Sequence, residues 1–326
     1  MTLSITEEYK KKEGDATMKY KMMQYIRAEA QMKKGITFNG DIGNGLFRGK
    51  PYPFVLQNSN NNLFAPSSNA ICEYFRTNNI AWWNGKLTNH TLSSQVACLN
   101  HLFPIREDKS AVLSLVRNIL PDIIDVLLIE SDRHMPAYIQ FESISEADHL
   151  NEQTLVRGSN CTSIDALIYG VHKDGRKIIF PIEWKYVEVY GNKSKAIGNS
   201  GTTRKARYTN LINQSAQLRV ASSNTYYFEP FYQLMRQTLW AEQIIANKNT
   251  EIVKADDYVH IHVIPDDNNE LLNKSYSCSG KGMVETWRSC LKDQSKYVII
   301  SPNKLLAPVI DNQYCTLFKY LENRYW

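Results

Sequence analysis

SIDALIYGVHKDGRKIIFPIEWKYVEVY, residues 163–190, is the stretch from which the fold can be predicted. Runs rich in Val, Ile, Leu and Tyr lie on both sides of Asp174-Gly175, a dipeptide well suited to a hairpin turn, so the stretch predicts two paired strands. A three-residue loop that ends at Gly175 would place Asp165 directly across from Glu183. A two-residue turn would shift the partner by one position, and in either register the two carboxylates are neighbours.

The second strand of this hairpin is predicted to be apolar on both faces. Strand alternation puts Glu183 and Lys185 on one face, together with Ile179 and Val187. The other face carries five apolar residues, Ile178, Phe180, Ile182, Trp184 and Tyr186. Strands of this kind are typically covered on both sides, as in α/β folds. The charged groups at the strand end are therefore expected to be partly desolvated.

Two interpretations of the cluster of Asp165, Glu183 and Lys185 are open at this point. In the first, Lys185 forms a salt bridge with one carboxylate at a strand end, which is the commoner situation for an arbitrary hairpin. In the second, the adjacent carboxylates hold a cation between them, and their hard oxygen donors suit Mg²⁺. The lysine then orients and stabilises an attacking water. The apolar surroundings of the cluster weaken the first interpretation.

The spacing of Asp165, seventeen further residues and Glu183-Trp184-Lys185 resembles the active-site signature of the PD-(D/E)XK nuclease superfamily. Nearly the whole chain is similar to a bacterial branch of that superfamily, through five segments: SSQVACLNHLFPI at 93–105, SIDALIYG at 163–170, IEWKYVE at 182–188, YQLMRQTLWA at 232–241 and YLENRYW at 320–326. The chain departs from the superfamily pattern at Ile164, where the signature has a proline that supplies no ligand.

The resemblance implies roles for particular residues. Asp165 and Glu183, joined by the backbone carbonyl of Trp184, would hold one or two Mg²⁺ ions, with Mn²⁺ as a substitute, and Lys185 would position or activate a water. Glu142 is the candidate for a third acidic group, weighed evenly against an ordinary glutamate at a strand end, and Glu152, in a polar loop, is a poorer alternative. Gln233, on the helix after the motif, is a candidate for a polar addition to the site, with surface hydrogen bonding slightly favoured.

The resemblance also implies a restriction-endonuclease-like fold, which agrees with the α/β pattern of the chain: a mixed sheet flanked by helices, with a helical N-terminal extension. We expect residues 1–90 to form that extension, packed on a nuclease-like core of residues 91–326. The predicted elements are helices from Ser67 or Ser68 to Phe75, from Thr91 or Ser93 to Leu102, over 108–130 with a kink near Pro121, and over 228–247, 283–293 and 311–324, with strands at 136–142, 258–264 and 297–300.

The segment after the hairpin, residues 190–210, is basic and rich in glycine, and it is predicted to be a flexible loop. Its candidate nucleic-acid-binding residues are Lys193, Lys195, Arg204, Lys205 and Arg207, and it contains no acidic residue. Beside a metal site such a loop could hold phosphates electrostatically. A merely solvated loop is an equally weighted alternative. Glu188, just before the loop, is expected by strand alternation to face away from Glu183.

Three further sets of residues have two interpretations each. Trp82 and Trp83 could stack on bases, although packing in the core is favoured. Gln95 and Asn100 could contact a substrate or make buried hydrogen bonds that fix a helix. His260 and His262 share one face of a strand, but without a third ligand of matching spacing a zinc site is the less favoured interpretation.

Composition limits the classes of function. The net charge of +5, from 38 basic and 33 acidic residues, permits a polyanionic partner without requiring one. Six scattered cysteines with no C-x-x-C pair fit a reducing compartment, and the chain has no run of apolar residues long enough to cross a membrane. We therefore expect a cytoplasmic, Mg²⁺-dependent endo- or exonuclease that acts on DNA or RNA, with DNA favoured.

Two alternatives to this function are kept. The chain could be a catalytically silent nucleic-acid-binding or partner module of a defence or repair system that retains the nuclease fold. Oligomeric state is also open, since a single site of this kind cuts one strand, and double-strand cleavage would require two copies, as in a homodimer.

Overall fold

The predicted hairpin is present and has the predicted three-residue loop. The computed structural model describes residues 19–130, 136–159, 161–309 and 312–326. Strands Ile164–His172 and Lys177–Trp184 pair antiparallel, from Ala166 with Ile182 to Val171 with Lys177. Gly175 closes the loop in the left-handed conformation, with φ of 88°. The register, continued by one residue, puts Asp165 across from Glu183, as the turn chemistry predicts.

Around this hairpin the described residues form further helices and strands. The helices are α1 (Tyr20–Lys34), α2 (Ser68–Thr77), α3 (Ser94–Leu102), α4 (Lys109–Ile119), α5 (Gly198–Gln214), α6 (Phe231–Ala246), α7 (Asn269–Leu272), α8 (Met283–Cys290), α9 (Pro302–Leu306) and α10 (Cys315–Arg324). The strands are β1 (Gly45–Phe47), β2 (Lys50–Tyr52), β3 (Ile123–Val126), β4 (Ile139–Ser143), β5 (Ile164–His172), β6 (Lys177–Trp184), β7 (Asp257–Tyr258), β8 (His260–Val263) and β9 (Tyr297–Ile300).

The main sheet is mixed, which confirms the predicted fold class. Its strand order is β3-β5-β6-β8-β9, and β4 and β7 pair additionally with β5 and β6. The β3, β4, β5 and β6 pairings are antiparallel, whereas β7 and β8 run parallel to β6 and β9 runs parallel to β8. Helices cover both faces. Strand pairing therefore changes from antiparallel to parallel at β6, the strand that carries Glu183.

Alternate residues of β6 enter two different hydrophobic clusters. Ile178, Phe180 and Ile182 pack into the cluster that includes α3 and the C-terminal helix, while Ile179 packs into the cluster that includes α6. Both faces of the strand are thus buried, as its two-sided apolar pattern predicts. Val187 is an exception, since it joins the cluster of Ile182 and not that of Ile179. The physical reason is that β6 ends at Trp184, so strand alternation does not extend to Val187.

The N-terminal part of the chain packs on the core. The Tyr20 ring meets the Tyr186 ring edge-on at 6.4 Å between centroids, and the Tyr186 hydroxyl donates to Gln24 Oε1 at 2.9 Å. Helix α1 confirms a helical N-terminal extension, whereas the predicted arm at residues 1–18 lies outside the described residues. The division of the chain at residue 90 stays a prediction.

Two predicted elements are wrong. The helix over 108–130 ends at Ile119, and residues 123–126 form β3, which pairs with β5. Pro121 cannot continue a helix, and the following residues find backbone partners on the sheet edge. The basic segment predicted as a loop over 190–210 is irregular only up to Ile197, because residues 198–214 form α5. Tyr208 and Ile212, one turn apart on this helix, are buried and hold it against the core.

The remaining predicted elements are present with small shifts of their bounds. The strand expected at 258–264 is divided into β7 and β8, and β8 is fully buried because it lies between β6 and β9. The strand at 297–300 and the helix capped by Ser93 are confirmed, and the Ser93 hydroxyl accepts a hydrogen bond from Val96 N. None of the described helices has the length and apolar character needed to span a membrane.

Candidate active site

Asp165 and Glu183 lie side by side near the ends of β5 and β6. The Trp184 backbone N–H donates a hydrogen bond to Asp165 Oδ2 at 2.7 Å, which connects the Asp165 side chain to the neighbouring strand. Glu183 is buried, with 4% of its surface exposed, and Asp165 is partly exposed. The hairpin therefore brings together the two carboxylates that the sequence predicts to be neighbours, one of them at the surface of the site.

Lys185 lies on the same side of the hairpin and is held by two predicted site residues. Its ammonium forms an ion pair with the Glu183 carboxylate and donates to Gln233 Oε1 at 2.7 Å. The Tyr190 hydroxyl also donates to Gln233 Oε1, at 3.3 Å, and the Lys185 Nζ lies 5.8 Å from the centre of the Tyr190 ring. The salt bridge of the first sequence interpretation is thus present, within a wider polar network.

Glu142 faces the same site from β4. The pairs Phe141 with Ala166 and Ser143 with Ile164 flank it, so the register places Glu142 across from Asp165. Its φ of 50° is in the left-handed region, a strained conformation for a non-glycine residue that often accompanies function. Gln95 Nε2 donates to Glu142 Oε1 at 2.7 Å. The expected third acidic group therefore lies next to the first.

Glu142 and Asp165 line a small cleft. Its other lining residues are Phe75, Gln95, Cys98, Leu99 and Phe141. Cys98 is a buried thiol whose pKa is raised well above its usual value by burial and by the nearby carboxylates. The cleft is thus apolar on one side and carboxylate-lined on the other, and the thiol has no nucleophilic character in it.

The carboxylates disfavour each other's ionisation. Burial, followed by the charges of Glu183 and Glu142, raises the pKa of Asp165 well above its usual range. Burial also raises the pKa of Glu142, although hydrogen bonds from Gln95 and Ser163 partly oppose this. Lys185 cannot remove the repulsion alone. Adjacent carboxylates with raised pKa values are the arrangement that a bound cation relieves.

The negative charges that raise the pKa of the carboxylates also raise the pKa of Lys185, and there they favour the charged form. Burial would lower the pKa of its ammonium, but Glu183, and after it Tyr190, Glu188 and Asp165, raise that pKa well above its usual value. Lys185 is therefore a fixed cation. Strand alternation does not decide the direction of Glu188, because β6 ends at Trp184, and the Glu188 carboxylate accepts a hydrogen bond from Tyr186 N at 2.6 Å.

Gln237 is a site residue that the sequence analysis did not identify. It is buried, and its Nε2 donates to Glu183 Oε2. Gln237 lies four residues after Gln233 on α6, so both amides point from one helix face toward the Glu183–Lys185 pair. This four-residue spacing on a predicted helix is the sequence signal that could have identified Gln237. The two glutamines together leave each charged group of the pair with an amide partner.

Two polar residues that were considered for the site have structural roles elsewhere. Glu152, expected in a polar loop, is buried and accepts from Arg236 Nη2 at 3.0 Å, Tyr208 Oη at 2.6 Å and Thr162 Oγ1 at 2.7 Å. Asn100 is also buried, and it joins the backbone of Asn62 and Phe64. Of the pair Gln95 and Asn100, only Gln95 reaches the candidate site.

Of the basic residues predicted to bind nucleic acid, some are exposed to solvent and others make contacts within the protein. Lys193 and Lys205 are exposed, and Arg207 is half-buried. Lys195 forms an ion pair with Glu229 at 3.0 Å, and Arg204 Nη1 donates to the Lys195 carbonyl at 3.0 Å. Lys195 also lies over the ring of Tyr232, the residue before Gln233. Their role in binding stays a prediction.

The carboxylates of the candidate site are of the chemical type that binds a hard divalent cation. The structure does not, however, bring enough of them together to form a complete metal site. Asp165, Glu183 and Glu142 supply carboxylate oxygens, which Mg²⁺ prefers. Throughout the part of the chain that the structure describes, no group of three or more His, Cys, Asp or Glu side chains is arranged to hold a metal ion. Glu183 is turned toward Lys185 and Gln237. The participation of the Trp184 carbonyl stays a prediction.

His260 and His262 occupy β8, beside the site strand. His262 pairs in register with Glu183, and its Nδ1 lies 2.9 Å from the Tyr297 hydroxyl. Burial lowers the pKa of His260 to about 4 and that of His262 further below its usual value. Both imidazoles are therefore neutral members of the buried layer behind Glu183.

Comparison with known proteins gives one match. The family described as "Restriction Endonuclease associating with ARP" matches residues 22–326. No curated protein and no solved structure matches this chain.

Proposed function

The chain belongs to the family of restriction endonucleases associating with ARP, and from that premise we propose that it is a Mg²⁺-dependent nuclease of the PD-(D/E)XK type that hydrolyses phosphodiester bonds of DNA. The observation that carries the proposal is the placement of Asp165, Glu183 and Lys185 at the ends of two paired strands, with Glu142 across from Asp165. The first sequence interpretation, a simple salt bridge, accounts for Lys185 and Glu183 but not for the neighbouring carboxylates of Asp165 and Glu142.

Asp165, Glu183 and the main-chain carbonyl of Trp184 are the proposed metal ligands, with Glu142 as a further acidic group. Once bound, Mg²⁺ would lower the pKa of a water and neutralise charge on the scissile phosphate, and Mn²⁺ could take its place. The Trp184 N–H restrains Asp165, and Gln237 restrains Glu183. These hydrogen bonds orient the carboxylates, which reduces the entropy lost when they bind a metal.

The state of Lys185 limits what it can do. Because its pKa is well above the usual value, the amine does not accept a proton at neutral pH in this environment. It instead donates hydrogen bonds, and the bond to Gln233 fixes its direction. We assign to Lys185 the positioning of the attacking water and stabilisation of negative charge that develops on the phosphate. Activation of the water then falls to the metal and the carboxylates.

Restriction-endonuclease membership points to nucleic acid as the partner, and the charge distribution offers a place for its backbone. Lys193 and Lys205 lie before and on α5, exposed to solvent, where they can contact phosphates. Lys195 is less suited to this, because Glu229 neutralises it. Cleavage of both strands of a duplex would require two sites, and we propose a homodimer for that case.

The proposal is tested with Lys185→Ala, assayed on plasmid and single-stranded DNA with Mg²⁺, with Mn²⁺ and with EDTA. We expect wild-type cleavage that depends on metal and a loss of at least about 100-fold in the variant, since charge stabilisation in the transition state is a large term. Lys177→Ala, at the other end of the same strand, is the matched control and should cleave like the wild type.

Lys185→Ala leaves the buried Glu183 carboxylate without its cation, so its fold must be checked by thermal denaturation. Asp165→Asn is the second variant, because an amide oxygen can still accept from Trp184 N–H. We expect it to weaken Mg²⁺ binding in calorimetry and to lose cleavage. Full cleavage by both folded variants would contradict the proposed site. No cleavage by the wild type on any of these substrates, with nucleic-acid binding retained, would favour the catalytically silent binding module.

A further inference from the structure

Trp83 is an exposed indole, whereas the other five tryptophans are buried or half-buried. All six tryptophans lie within the described residues, and among them Trp83, with 71% of its surface accessible, is the one that stands free of the packing. Trp184, Trp240 and Trp287 are buried, and Trp82 and Trp326 are half-buried. An exposed indole leaves a large apolar surface in water, so its position requires an explanation.

The main chain holds Trp83 outward. Its neighbour Trp82 stacks on Phe75, with ring centres 3.9 Å apart and planes at 14°. Asn84 and Gly85 follow in the left-handed conformation, with φ of 63° and 79°, and Gly85 N donates to the Trp82 carbonyl at 2.8 Å. Trp82 thus anchors the turn in the core while the turn directs Trp83 to solvent. Packing against the core, the favoured prediction for both tryptophans, therefore holds for Trp82 and is wrong for Trp83.

The same turn is connected to the candidate site by two hydrogen bonds. Trp83 N donates to Gln95 Oε1 at 3.4 Å, and Gln95 Nε2 donates to Glu142 Oε1 at 2.7 Å. Phe75, on which Trp82 stacks, and Gln95 both line the cleft that contains Glu142 and Asp165. The backbone of Trp83 is therefore linked through Gln95 to a carboxylate of this cleft, and the exposed indole extends from the same turn.

We propose that Trp83 is a stacking platform for an unpaired nucleobase of the substrate next to the scissile phosphate. This inference rests on the proposed function and adds a substrate class to it. Every base presents a flat π-face, and stacking on an aromatic side chain typically strengthens binding by about tenfold or more for each base. In an intact duplex neighbouring pairs cover these faces, so Trp83 can stack only on a base in a single strand, at a strand end or in a locally opened duplex.

The test uses the fluorescence of the full-length protein in EDTA, where no cleavage occurs, during titration with a single-stranded oligothymidylate. Stacking quenches indole emission, so the wild type should lose emission as the oligonucleotide binds, and Trp83→Ala should show no such loss and bind about tenfold more weakly. An oligonucleotide of the same length with abasic residues should bind without quenching. Trp83→Phe should recover most of the affinity.

Leu46→Ala is the matched control, because it truncates another exposed apolar side chain, 64% accessible, and should bind like the wild type. Unchanged affinity of Trp83→Ala, equal quenching by the abasic strand, or equal quenching by a closed circular duplex without strand ends would overturn the inference. Cleavage of the same oligothymidylate in Mg²⁺, with Lys185→Ala beside the wild type, keeps the two proposals separate. Cleavage without Trp83-dependent quenching would contradict the stacking role of Trp83 and leave the nuclease proposal intact. Trp83-dependent quenching without cleavage would support stacking and count against nuclease activity.

Discussion

Glu183 illustrates how single residues are prepared in this site. Its two oxygens face different partners, the ammonium of Lys185 and the amide of Gln237, and only 4% of the residue is exposed. A buried carboxylate is tolerated when its oxygens are paired in this way. The ion pair with Lys185 and the hydrogen bond from Gln237 thus offset the desolvation of Glu183 before any ligand binds. Gln237 acts as a positioning residue, since it touches Glu183 rather than the substrate.

We predict that Gln237→Leu lowers activity by about 10- to 100-fold, the usual cost of removing a group that orients a metal ligand. The leucine keeps the volume of the side chain but cannot donate to Glu183. The Mg²⁺ concentration at half-maximal activity should rise in the variant, which separates a positioning role from a general loss of stability. Gln243→Leu, on the same helix and outside the site, is the control. An unchanged Mg²⁺ dependence in Gln237→Leu would contradict this role.

His101 is the residue whose protonation we expect to limit acid stability. Its Nδ1 lies 2.7 Å from the Ala97 carbonyl and its Nε2 accepts from the Trp326 indole N–H at 3.2 Å, so only a neutral tautomer satisfies both bonds. Burial, and to a smaller extent the charge of Arg324, lowers the pKa of His101 to about 3 against the opposing bond to Ala97. The imidazole is therefore neutral in the folded protein across the physiological range.

The sign of the pH dependence follows from this depressed pKa. Between the unfolded pKa near 6.5 and the folded value of about 3, the unfolded chain binds the proton and the folded protein does not. Stability is complete above about pH 6.5 and falls on acidification, by at most about 1.4 kcal/mol per pH unit for this group. In urea denaturation at pH 8 and pH 5, His101→Gln should lose less stability than the wild type, and parallel losses would refute the assignment.

At the scale of elements, the three-residue loop of the hairpin determines the register that places Asp165 across from Glu183. Gly175 is essential to that loop because of its φ of 88°, and a Cβ added there would meet no atom within 4 Å. Any cost of a side chain at this position is therefore conformational and not steric. The turn and the geometry of the candidate site are linked through the register.

We predict that Gly175→Ala lowers the free energy of unfolding by about 1 kcal/mol, the usual penalty of the left-handed region for an L-residue. Gly191→Ala is the matched control, since a Cβ at Gly191 also finds open space while its backbone is not left-handed. Urea denaturation of the two variants beside the wild type measures the difference. Equal stability of the two variants would mean that the loop relaxes without strain.

The elements also show where local patterns mislead. Residues 198–214 have glycines and basic residues typical of a loop, yet they form α5 because Tyr208 and Ile212 find a buried surface. Residues 123–126 continue a helical pattern, yet they form β3 because β5 offers backbone partners. In both cases tertiary contacts outweigh an intrinsic preference worth only tenths of a kcal/mol per residue.

At the scale of the whole molecule, Arg324 joins distant parts of the chain. Its Nη1 donates to the Asn62 carbonyl at 2.6 Å, and its guanidinium lies 4.9 Å from the centre of the Phe38 ring. Asn100 Nδ2 donates to the same Asn62 carbonyl at 3.0 Å and to the Tyr325 hydroxyl at 2.9 Å. One buried polar network therefore ties the N-terminal segment and α3 to the C-terminal helix.

We predict that Arg324→Met destabilises the protein by about 3 kcal/mol, because it leaves the acceptors of Asn62 short of a buried donor. Arg48→Met, which changes an exposed arginine, is the control and should stay within about 0.5 kcal/mol of the wild type. Guanidinium denaturation measures both changes. A loss in Arg324→Met no greater than the loss in the control would show that the network does not hold the termini together.

The sequence by itself determined the features that depend on short-range rules. The alternation of apolar residues, the turn at Asp174-Gly175 and the positions of Asp165 and Glu183 were sufficient for the hairpin and for the adjacency of the carboxylates. The choice between the two possible registers followed only from the three-residue loop of the structure. Residues a few positions apart on a strand have their relative directions set by backbone geometry. The helix that carries Gln233 was predictable for the same reason.

Only the tertiary structure decided which distant residues meet at the hairpin. Glu142 comes from β4, Gln237 and Gln233 come from α6, and Trp83 is linked to Glu142 through Gln95 on α3. These meetings depend on how helices pack against the sheet, which no local pattern encodes. The same holds for Trp82 and Trp83, whose neighbouring positions do not reveal which indole the turn buries. Burial is a property of the assembled core, since it is set by contacts between residues far apart in the chain.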